Sequence, residues 1–287
     1  MKTPIRSMRL PLAVAGFLLA TVCQSGDRLL ATGGAQQVEG AGGGGVVPWA
    51  LIAGYGTSAQ VGGSAFYTYV DTQDFKLDAY GLAVGVFDRL EVSFAKQQFD
   101  ASSVVPGLKL KMDIFGAKLK VFGDAVYDQD TPWPQVSVGL QHKRNTEMAI
   151  PTAIGARSGS DTDFYLAATK IWLAGFMGRN VLGNVALRAT RANQMGLLGF
   201  GGDRKNSRSV QPEVSAAVLL TDNLALGADY RRKPDNLSAF KEEDFSDVFL
   251  AWFPHRHVAV TAAWARLGTI AGKPKQDGAY ISIQLTH

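Results

Sequence analysis

The feature that most constrains the fold is a two-armed stretch at residues 212–232, PEVSAAVLLTDNLALGADYRR. In its first arm, apolar residues alternate with polar or small ones, a period of two that is typical of a strand with one apolar face. The side chains of the turn residues TDN can hydrogen-bond their own backbone, and the second arm alternates again. The stretch is therefore predicted to form a β-hairpin.

Each arm is about nine residues long, whereas strands average about five or six residues and a tilted strand needs about nine to eleven to cross a bilayer. Only 19% of the residues are charged, below the roughly 25% usual in soluble domains. Together these features predict an all-β fold, a transmembrane antiparallel β-barrel. Thirteen strand-like segments follow one another, at residues 49–57, 61–70, 75–87, 90–99, 108–122, 135–145, 161–172, 181–192, 210–220, 224–232, 245–253, 258–267 and 279–287.

The strand number follows from a parity argument. Bacterial barrels of this kind have an even number of strands, so thirteen segments require one more crossing. Residues 27–38 supply it if they form a first strand, which gives about 14 strands in all. If one segment is overcounted, the barrel has about 12 strands and the Gly-rich stretch at residues 27–48 is a periplasmic tail or plug. The barrel itself is predicted to cover residues 49–287.

Residues 1–26 are predicted to be a cleaved signal peptide. A basic start with Lys2, Arg6 and Arg9 precedes an apolar run at residues 11–23, which is too short to span a membrane as a helix. Cys23 allows a second interpretation as a lipoprotein anchor, but no small residue stands immediately ahead of it. Export through this leader predicts a location in the outer membrane of a Gram-negative bacterium.

Outer-membrane lipid, lipopolysaccharide and the barrel-assembly machinery are the expected partners. The final segment AYISIQLTH resembles the closing strand that this machinery recognises. Short connections are predicted to face the periplasm and long ones the exterior. No nucleic-acid partner is predicted, because a net charge of +4 includes three bases of the leader and the other bases are scattered among acids.

In each predicted strand, every second residue is polar or small, and the charged residues at these positions are predicted to face the lumen. These residues include both acids and bases. Ion pairs across the lumen are therefore expected at least as much as an ion-selective path, since a ring of charges of one sign is the better indicator of selectivity. The apolar loop MGLLGF at residues 195–200 is a candidate constriction or cap. The lumen candidates are Glu91, Lys118, Lys120, Lys143, Arg188, Glu213, Asp229 and Arg231.

A group of basic residues in the predicted outer loops falls at the level of lipopolysaccharide phosphates. Guanidinium groups suit phosphate because their donors form a planar fork. Ordinary snorkelling side chains are the alternative. The candidates for lipopolysaccharide contact are Arg204, Lys205, Arg208, Arg231, Arg232 and Lys233.

No constellation of residues predicts catalysis, a cofactor or a metal. The run GAGGGG at residues 40–45 lacks the Lys-Ser/Thr that completes a phosphate loop. His142 is predicted to face lipid, and His255 and His257 lie in a short turn without an evident nucleophile partner. The acidic stretches at residues 124–130 and 161–163 do not have EF-hand spacing. The chain is therefore predicted not to be an enzyme.

Four phrases resemble a Gram-negative family known only as domain of unknown function 3034. They are VEGAGGGGVVPWALIAGYGT at 38–57, DTQDFKLDAYGLAVGVFDRLEVSFAKQQFD at 71–100, GDAVYDQD at 123–130 and ATRANQMGLLGFGGD at 189–203. The resemblance covers nearly all of the chain after the leader. It implies an outer-membrane protein, and it implies no activity, ligand or functional residue.

The function predicted from these patterns is a passive or gated channel for small solutes in the outer membrane. A barrel of this size is wider than the side-chain-filled eight-stranded kind and narrower than open sixteen-stranded porins. The alternative is a structural or binding surface barrel without conductance. A hydrolase at the outer rim, which would need His142, is the third and least supported hypothesis.

Overall fold

The chain forms a closed antiparallel barrel in a computed structural model that describes residue 33 and residues 35–287. Each strand pairs with its neighbours in sequence, and the first pairs with the last, so no sheet edge is left open. The strands are β1 Val61–Thr72, β2 Lys76–Val86, β3 Leu90–Asp100, β4 Lys109–Phe122, β5 Gln135–Asn145, β6 Ser160–Phe176, β7 Arg179–Thr190, β8 Ser209–Thr221, β9 Leu224–Arg231, β10 Phe245–His255, β11 Val258–Arg266 and β12 Asp277–Thr286.

The predicted all-β barrel is confirmed, but the preferred count of 14 strands is wrong. The described residues contain 12 strands, the stated alternative. Residues 49–57 are not a strand, and their apolar side chains are buried on all sides rather than on one. Of the predicted first strand at residues 27–38, the described part makes only an isolated bridge between Gln36 and Gly42. The predicted signal peptide, residues 1–26, lies outside the described residues.

The two ends of the barrel differ in the length of their connections. The end that we call the short-turn end carries the connections at residues 87–89, 177–178, 222–223 and 256–257, together with the start of β1 and the end of β12. The opposite, long-loop end carries connections at 101–108, 146–159, 191–208, 232–244 and 267–276, and one short connection at 73–75. One long connection, residues 123–134, lies at the short-turn end and packs Ala125 and Val126 against the barrel interior.

Helices are limited to one turn or little more. The α-helix α1, Ala149–Ala153, and a 3-10 turn, Asn193–Gly196, both lie in long loops. No helix among the described residues has the length and apolar character that crossing a membrane requires.

Side chains alternate strictly between the two faces of the wall. In β12, Ile281, Ile283 and Leu285 are exposed on the outside, whereas Ser282 and Gln284 are buried inside. The same alternation places Phe94 and Phe115 outside, where their rings lie 4.9 Å apart across β3 and β4. The outer surface is consequently rich in large apolar side chains, which is unusual on a protein surrounded by water.

Candidate functional site

The barrel interior is occupied by the chain that precedes β1. Residues 35–57, which we call the inner segment, lie inside the wall, and almost every residue from 36 to 56 is buried. Twelve strands enclose more space than inward side chains alone can fill. The inner segment takes up that space as irregular chain, so its backbone polar groups need partners on the wall.

Its glycines allow the backbone to turn tightly and to approach the wall. A Cβ at Gly44 would lie 2.5 Å from Asp229 Oδ2, closer than side-chain carbons approach. A Cβ on the inward-facing Gly85 of β2 would overlap the Ala53 carbonyl oxygen of the inner segment. Glycine is therefore required by close contact at both positions, one on each side of the interface.

Six charged residues meet near the middle of the lumen and form what we call the central cluster. Glu39 of the inner segment accepts hydrogen bonds from Arg231 Nη1 at 2.7 Å and from Lys143 Nζ, and Arg188 Nη2 lies 3.7 Å away. None of the six side chains is more than 3% exposed. The cluster contains three acids and three bases, namely Glu39, Asp163 and Glu213 with Lys143, Arg188 and Arg231.

The wall members of the cluster also pair with one another. Arg188 Nε lies 2.5 Å from Glu213 Oε1, and Lys143 Nζ lies 2.7 Å from Asp163 Oδ2. Burial by itself raises the pKa of Glu39, but the positive charges of Arg231, Lys143 and Arg188 outweigh burial and hold that pKa below its ordinary value. Glu39 is thus an anion fixed at the centre of the barrel.

A second ion pair joins two distant parts of the inner segment. Lys118 Nζ lies 2.9 Å from Glu91 Oε2 and donates to the carbonyl oxygens of Gly42 at 3.0 Å and Leu51 at 2.8 Å. The same glutamate accepts the backbone N–H groups of Gly42 at 3.0 Å and Ala53 at 2.8 Å. Because the pair supplies both donors and acceptors, it fixes the fold of the segment as well as its position.

Neutral side chains of the wall satisfy much of the remaining backbone. Gln135 Nε2 and Ser137 Oγ both donate to the Ala50 carbonyl oxygen at 2.6 Å, and the Ala50 N–H donates to Thr169 Oγ1 at 2.7 Å. On the segment side, Trp49 Nε1 donates to Ser215 Oγ at 3.0 Å. Hydrogen bonds and ion pairs therefore hold the inner segment to the wall, together with apolar contacts of Trp49 and Leu51 in a buried cluster.

At the long-loop end, a second element folds inward. Residues 193–200, which we call the inner loop, bury Met195, Leu198 and Phe200 against apolar residues of the wall. Lys143 Nζ donates to the Met195 carbonyl oxygen at 3.2 Å, and Asn145 Nδ2 donates to that of Leu197 at 2.6 Å. The inner loop thus covers the inner segment from the side of the long loops.

Most of the predicted lumen residues lie inside the barrel. The exception is Lys120, which stands near the short-turn end and pairs with Asp88 at 2.8 Å and Asp124 at 3.1 Å. The other seven predicted lumen residues are buried and point inward: Glu91, Lys118, Lys143, Arg188, Glu213, Asp229 and Arg231.

Two of the residues predicted to contact lipopolysaccharide are buried in the protein rather than exposed at the rim. Arg231 points into the central cluster, because its position in β9 has inward parity. Lys233 follows the strand and is buried against Glu242, 3.1 Å away. Four exposed residues of that set remain, and we call them the rim bases: Arg204, Lys205, Arg208 and Arg232. Arg204 pairs with Asp235 and Arg208 with Asp161.

Sequence reasoning missed three charged residues of the interior. Glu39 lies in a glycine-rich stretch that has no alternation of polar and apolar residues. Nothing in the sequence pattern therefore indicated that its side chain faces the interior. Asp163 belongs to the acidic stretch at residues 161–163, which entered the sequence interpretation only as a possible calcium site. Asp247 shares its parity with Phe245 and Phe249, which are buried inside as well. Because the inward face of β10 is mostly apolar, its composition does not indicate that Asp247 points inward. The alternation of side chains along β10 is the sequence signal that could have shown it.

The four histidines lie in two places, one on the outer face and three near the short-turn end. His142 is exposed on the outer face and makes a 3.0 Å hydrogen bond with Thr162 Oγ1. His255, His257 and His287 stack near the short-turn end, with ring centroids 5.3 and 5.7 Å apart. Within residues 35–287, no group of three or more His, Cys, Asp or Glu side chains is arranged to hold a metal ion.

A family model and several solved structures are similar to this chain. The family model described as "Protein of unknown function (DUF3034)" matches residues 32–284. The solved structure of the KdgM porin is similar with a TM-score of 0.50 and 8% identity, over 77% of this chain and 98% of that one. At such an identity the similarity shows a shared fold.

Two further solved structures are similar over comparable lengths. The NanC porin has a TM-score of 0.48 and 9% identity over 78% of this chain and 98% of that one. The COG4313 outer membrane channel from Pseudomonas putida F1 has a TM-score of 0.43 and 10% identity over 84% and 96%. No curated protein matches the sequence.

Proposed function

The chain belongs to the DUF3034 family of unknown function, and from the geometry of its interior we propose that it is a gated channel for small solutes in the outer membrane. The inner segment is the proposed gate. The observation that carries the proposal is the set of buried charged and amide side chains that the wall presents to this segment, among them Glu91, Lys118 and Gln135 together with the central cluster. Such a lining can be hydrated once the segment leaves.

The outer surface supports the location. Large apolar side chains cover the outside of the wall, as lipid contact requires, and every strand is paired, so no backbone edge would face hydrocarbon. The short-turn end would then face the periplasm and the long loops the exterior. In this orientation the gate enters the barrel from the periplasmic side, because it leads directly into the start of β1.

The contacts of the gate are of a kind that can exchange with water. Hydrogen bonds and ion pairs to Glu91, Lys118 and the central cluster hold the segment, and water can replace each of them when the lumen fills. A segment joined to the wall by sheet pairing or by a large apolar core would lack this reversibility. The barrel itself would remain closed during such a movement, because its strands pair independently of the segment.

A second candidate function is a barrel that never conducts and acts through its long loops. The occupied lumen favours it, since the inner segment and the inner loop together fill much of the interior. The two hypotheses differ in what happens when the segment is removed. A channel would become permanently open, whereas a structural or binding barrel has no need of a hydrated path.

Deletion of residues 36–56 and recording in planar lipid bilayers test the proposal. The wild-type protein should show rare openings, and the deletion variant should show steady conductance because its charged wall becomes the lining of a pore. Deletion of the exposed loop residues 102–106 is the matched control and should behave as the wild type does. Heat-dependent gel mobility verifies that each variant is a folded barrel. A folded deletion variant that remains silent would refute the channel and favour the non-conducting barrel.

A further inference from the structure

Among residues 35–287, two acidic side chains of the inner wall form no ion pair, in contrast to the acids of the central cluster and to Glu91. Asp229 in β9 and Asp247 in β10 are directly opposite each other in the register. They are 3% and 7% exposed, and Oδ1 of each has no hydrogen-bond partner. Within the described part of the chain, neither carboxylate takes part in an ion pair.

The contrast with the rest of the interior makes this pair unusual. The central cluster balances its acids with its bases, and Glu91 is paired with Lys118. Asp229 accepts hydrogen bonds from the Val46 N–H at 3.3 Å, from Ser215 and from the Gly45 backbone, and Asp247 accepts one from the Asp229 backbone. Two buried carboxylates side by side are costly unless a proton or a cation lies between or beside them.

A cavity lies next to this pair. It has a volume of about 260 Å³ and extends from Asn180 and Asp222, beside the short turns, to Asp247 deep in the barrel. Its wall is largely apolar, with Trp49, Leu182 and Phe249 among the lining side chains. A cavity of about 150 Å³ with apolar walls is enough to bind benzene, so this one has room for a ring and a short chain.

We propose that this cavity binds a small organic cation, an amine with an apolar body, whose ammonium group lies at Asp247. The carboxylate provides the counter-charge, and Asp229 behind it strengthens the negative potential. The apolar walls, with Trp49 among them, take the body of the molecule. Sites for small organic molecules commonly combine apolar walls with a few polar groups that fix orientation.

A metal ion fits the cavity less well. Calcium takes six to eight oxygen ligands, whereas apolar side chains dominate the surface beside Asp247. The cavity is also much larger than a bare ion. An organic cation fits the volume of the cavity, its apolar walls and its carboxylate without an ion pair.

The position of Asp247 suggests how such a molecule would relate to the proposed channel. Asp247 and Tyr280 also line a second cavity of about 60 Å³, which lies under the inner loop next to Met195 and Leu197. The two residues therefore separate a space on the short-turn side from a space on the long-loop side. Naming the amine as a permeating solute rests on the proposed function, whereas binding at Asp247 does not require conduction.

Isothermal titration calorimetry of the purified protein in detergent, near neutral pH, tests the site. The probes are 2-phenylethylamine and its neutral counterpart 2-phenylethanol, and titration into detergent alone supplies the baseline. The amine should bind roughly tenfold more tightly than the alcohol, because only the amine makes a charged hydrogen bond. Equal affinities, or no binding of the amine, would overturn the proposal, and so would displacement of the amine by calcium.

Three variants locate the binding. Asp247→Asn should weaken amine binding roughly tenfold and leave alcohol binding unchanged. Asp113→Asn, the same chemical change at an outer-face residue paired with Lys96, should affect neither probe. Ala217→Leu fills part of the cavity and should weaken both probes. If Asp247→Asn retains full amine affinity, the site is not at this carboxylate. Binding without conductance in bilayers would refute the channel and leave the site intact.

Discussion

Replacement of Glu39 by glutamine should release the inner segment from the wall. The change leaves the volume nearly constant and removes the only negative charge that the segment contributes to the central cluster. Lys143, Arg188 and Arg231 then face two acids instead of three. Removing one partner of a buried ion pair costs about 3–5 kcal/mol, and the amide oxygen can still accept one hydrogen bond from Arg231. The expected loss is therefore about 3 kcal/mol, which raises the population of the released segment roughly 100-fold.

Thiol labelling measures this population directly. Val47 is fully buried in the inner segment, so a cysteine at that position, in a background with Cys23 replaced by serine, reacts only when the segment leaves the wall. When closing is faster than labelling, the labelling rate is proportional to the opening equilibrium. The rate at Val47→Cys should consequently rise roughly 100-fold when Glu39→Gln is added.

Glu147→Gln is the matched control, because Glu147 is exposed in a long loop and makes no contact with the inner segment. It should leave the labelling rate unchanged. An equal rate with and without Glu39→Gln would show that the central cluster does not hold the segment. In that case the reasoning that links charge pairing to closure of the lumen would be refuted.

Three further predictions concern the wall and the loops. Gly85→Ala should raise the labelling rate of the segment because its Cβ overlaps the segment backbone, whereas Gly63→Ala, whose Cβ would meet its nearest neighbour at 3.6 Å, should not. Hydrogen bonds from the Ser238 side chain and backbone hold the pKa of Asp203 below its ordinary value. This bridge between two long loops is therefore complete above about pH 4 and is lost on further acidification. Hydrogen exchange of residues 232–244 should show that loss in the wild type and not in Ser238→Ala. Alanine substitution of all four rim bases should lower the amount of lipopolysaccharide that co-purifies with the barrel, because phosphate contacts depend on their charge; an unchanged amount would refute the contact.

The strands of this barrel could be predicted from the sequence because their signal is local. A wall between lipid and lumen imposes a period of two on every strand, and twelve of the thirteen predicted segments are strands. The same parity correctly directed Glu213 and Arg231 inward. The alternation holds only within a strand, however. It therefore does not predict which way the side chain of Lys233 points, and this residue is buried against Glu242.

Residues 49–57 show the limit of a local pattern. Their apolar side chains suggested a wall strand, yet they lie inside the lumen and are buried on all sides. Burial against lipid and burial inside a barrel select similar residues, so composition alone does not separate the two. The preferred count of 14 strands is two too high because neither residues 49–57 nor the described part of residues 27–38 forms a wall strand.

By itself, the sequence determined an even-numbered antiparallel barrel with an apolar outside, a polar inside and long loops at one end, because each of these properties follows from neighbouring residues. Only the tertiary structure decided that the lumen is occupied, which charges form ion pairs, and that Asp229 and Asp247 form none among the described residues. Glu39 and Arg231 are 192 residues apart in sequence, and nothing near either residue specifies the other. They meet because closure of the barrel brings distant strands around the inner segment, and the same closure leaves Oδ1 of Asp247 without a hydrogen bond beside a cavity.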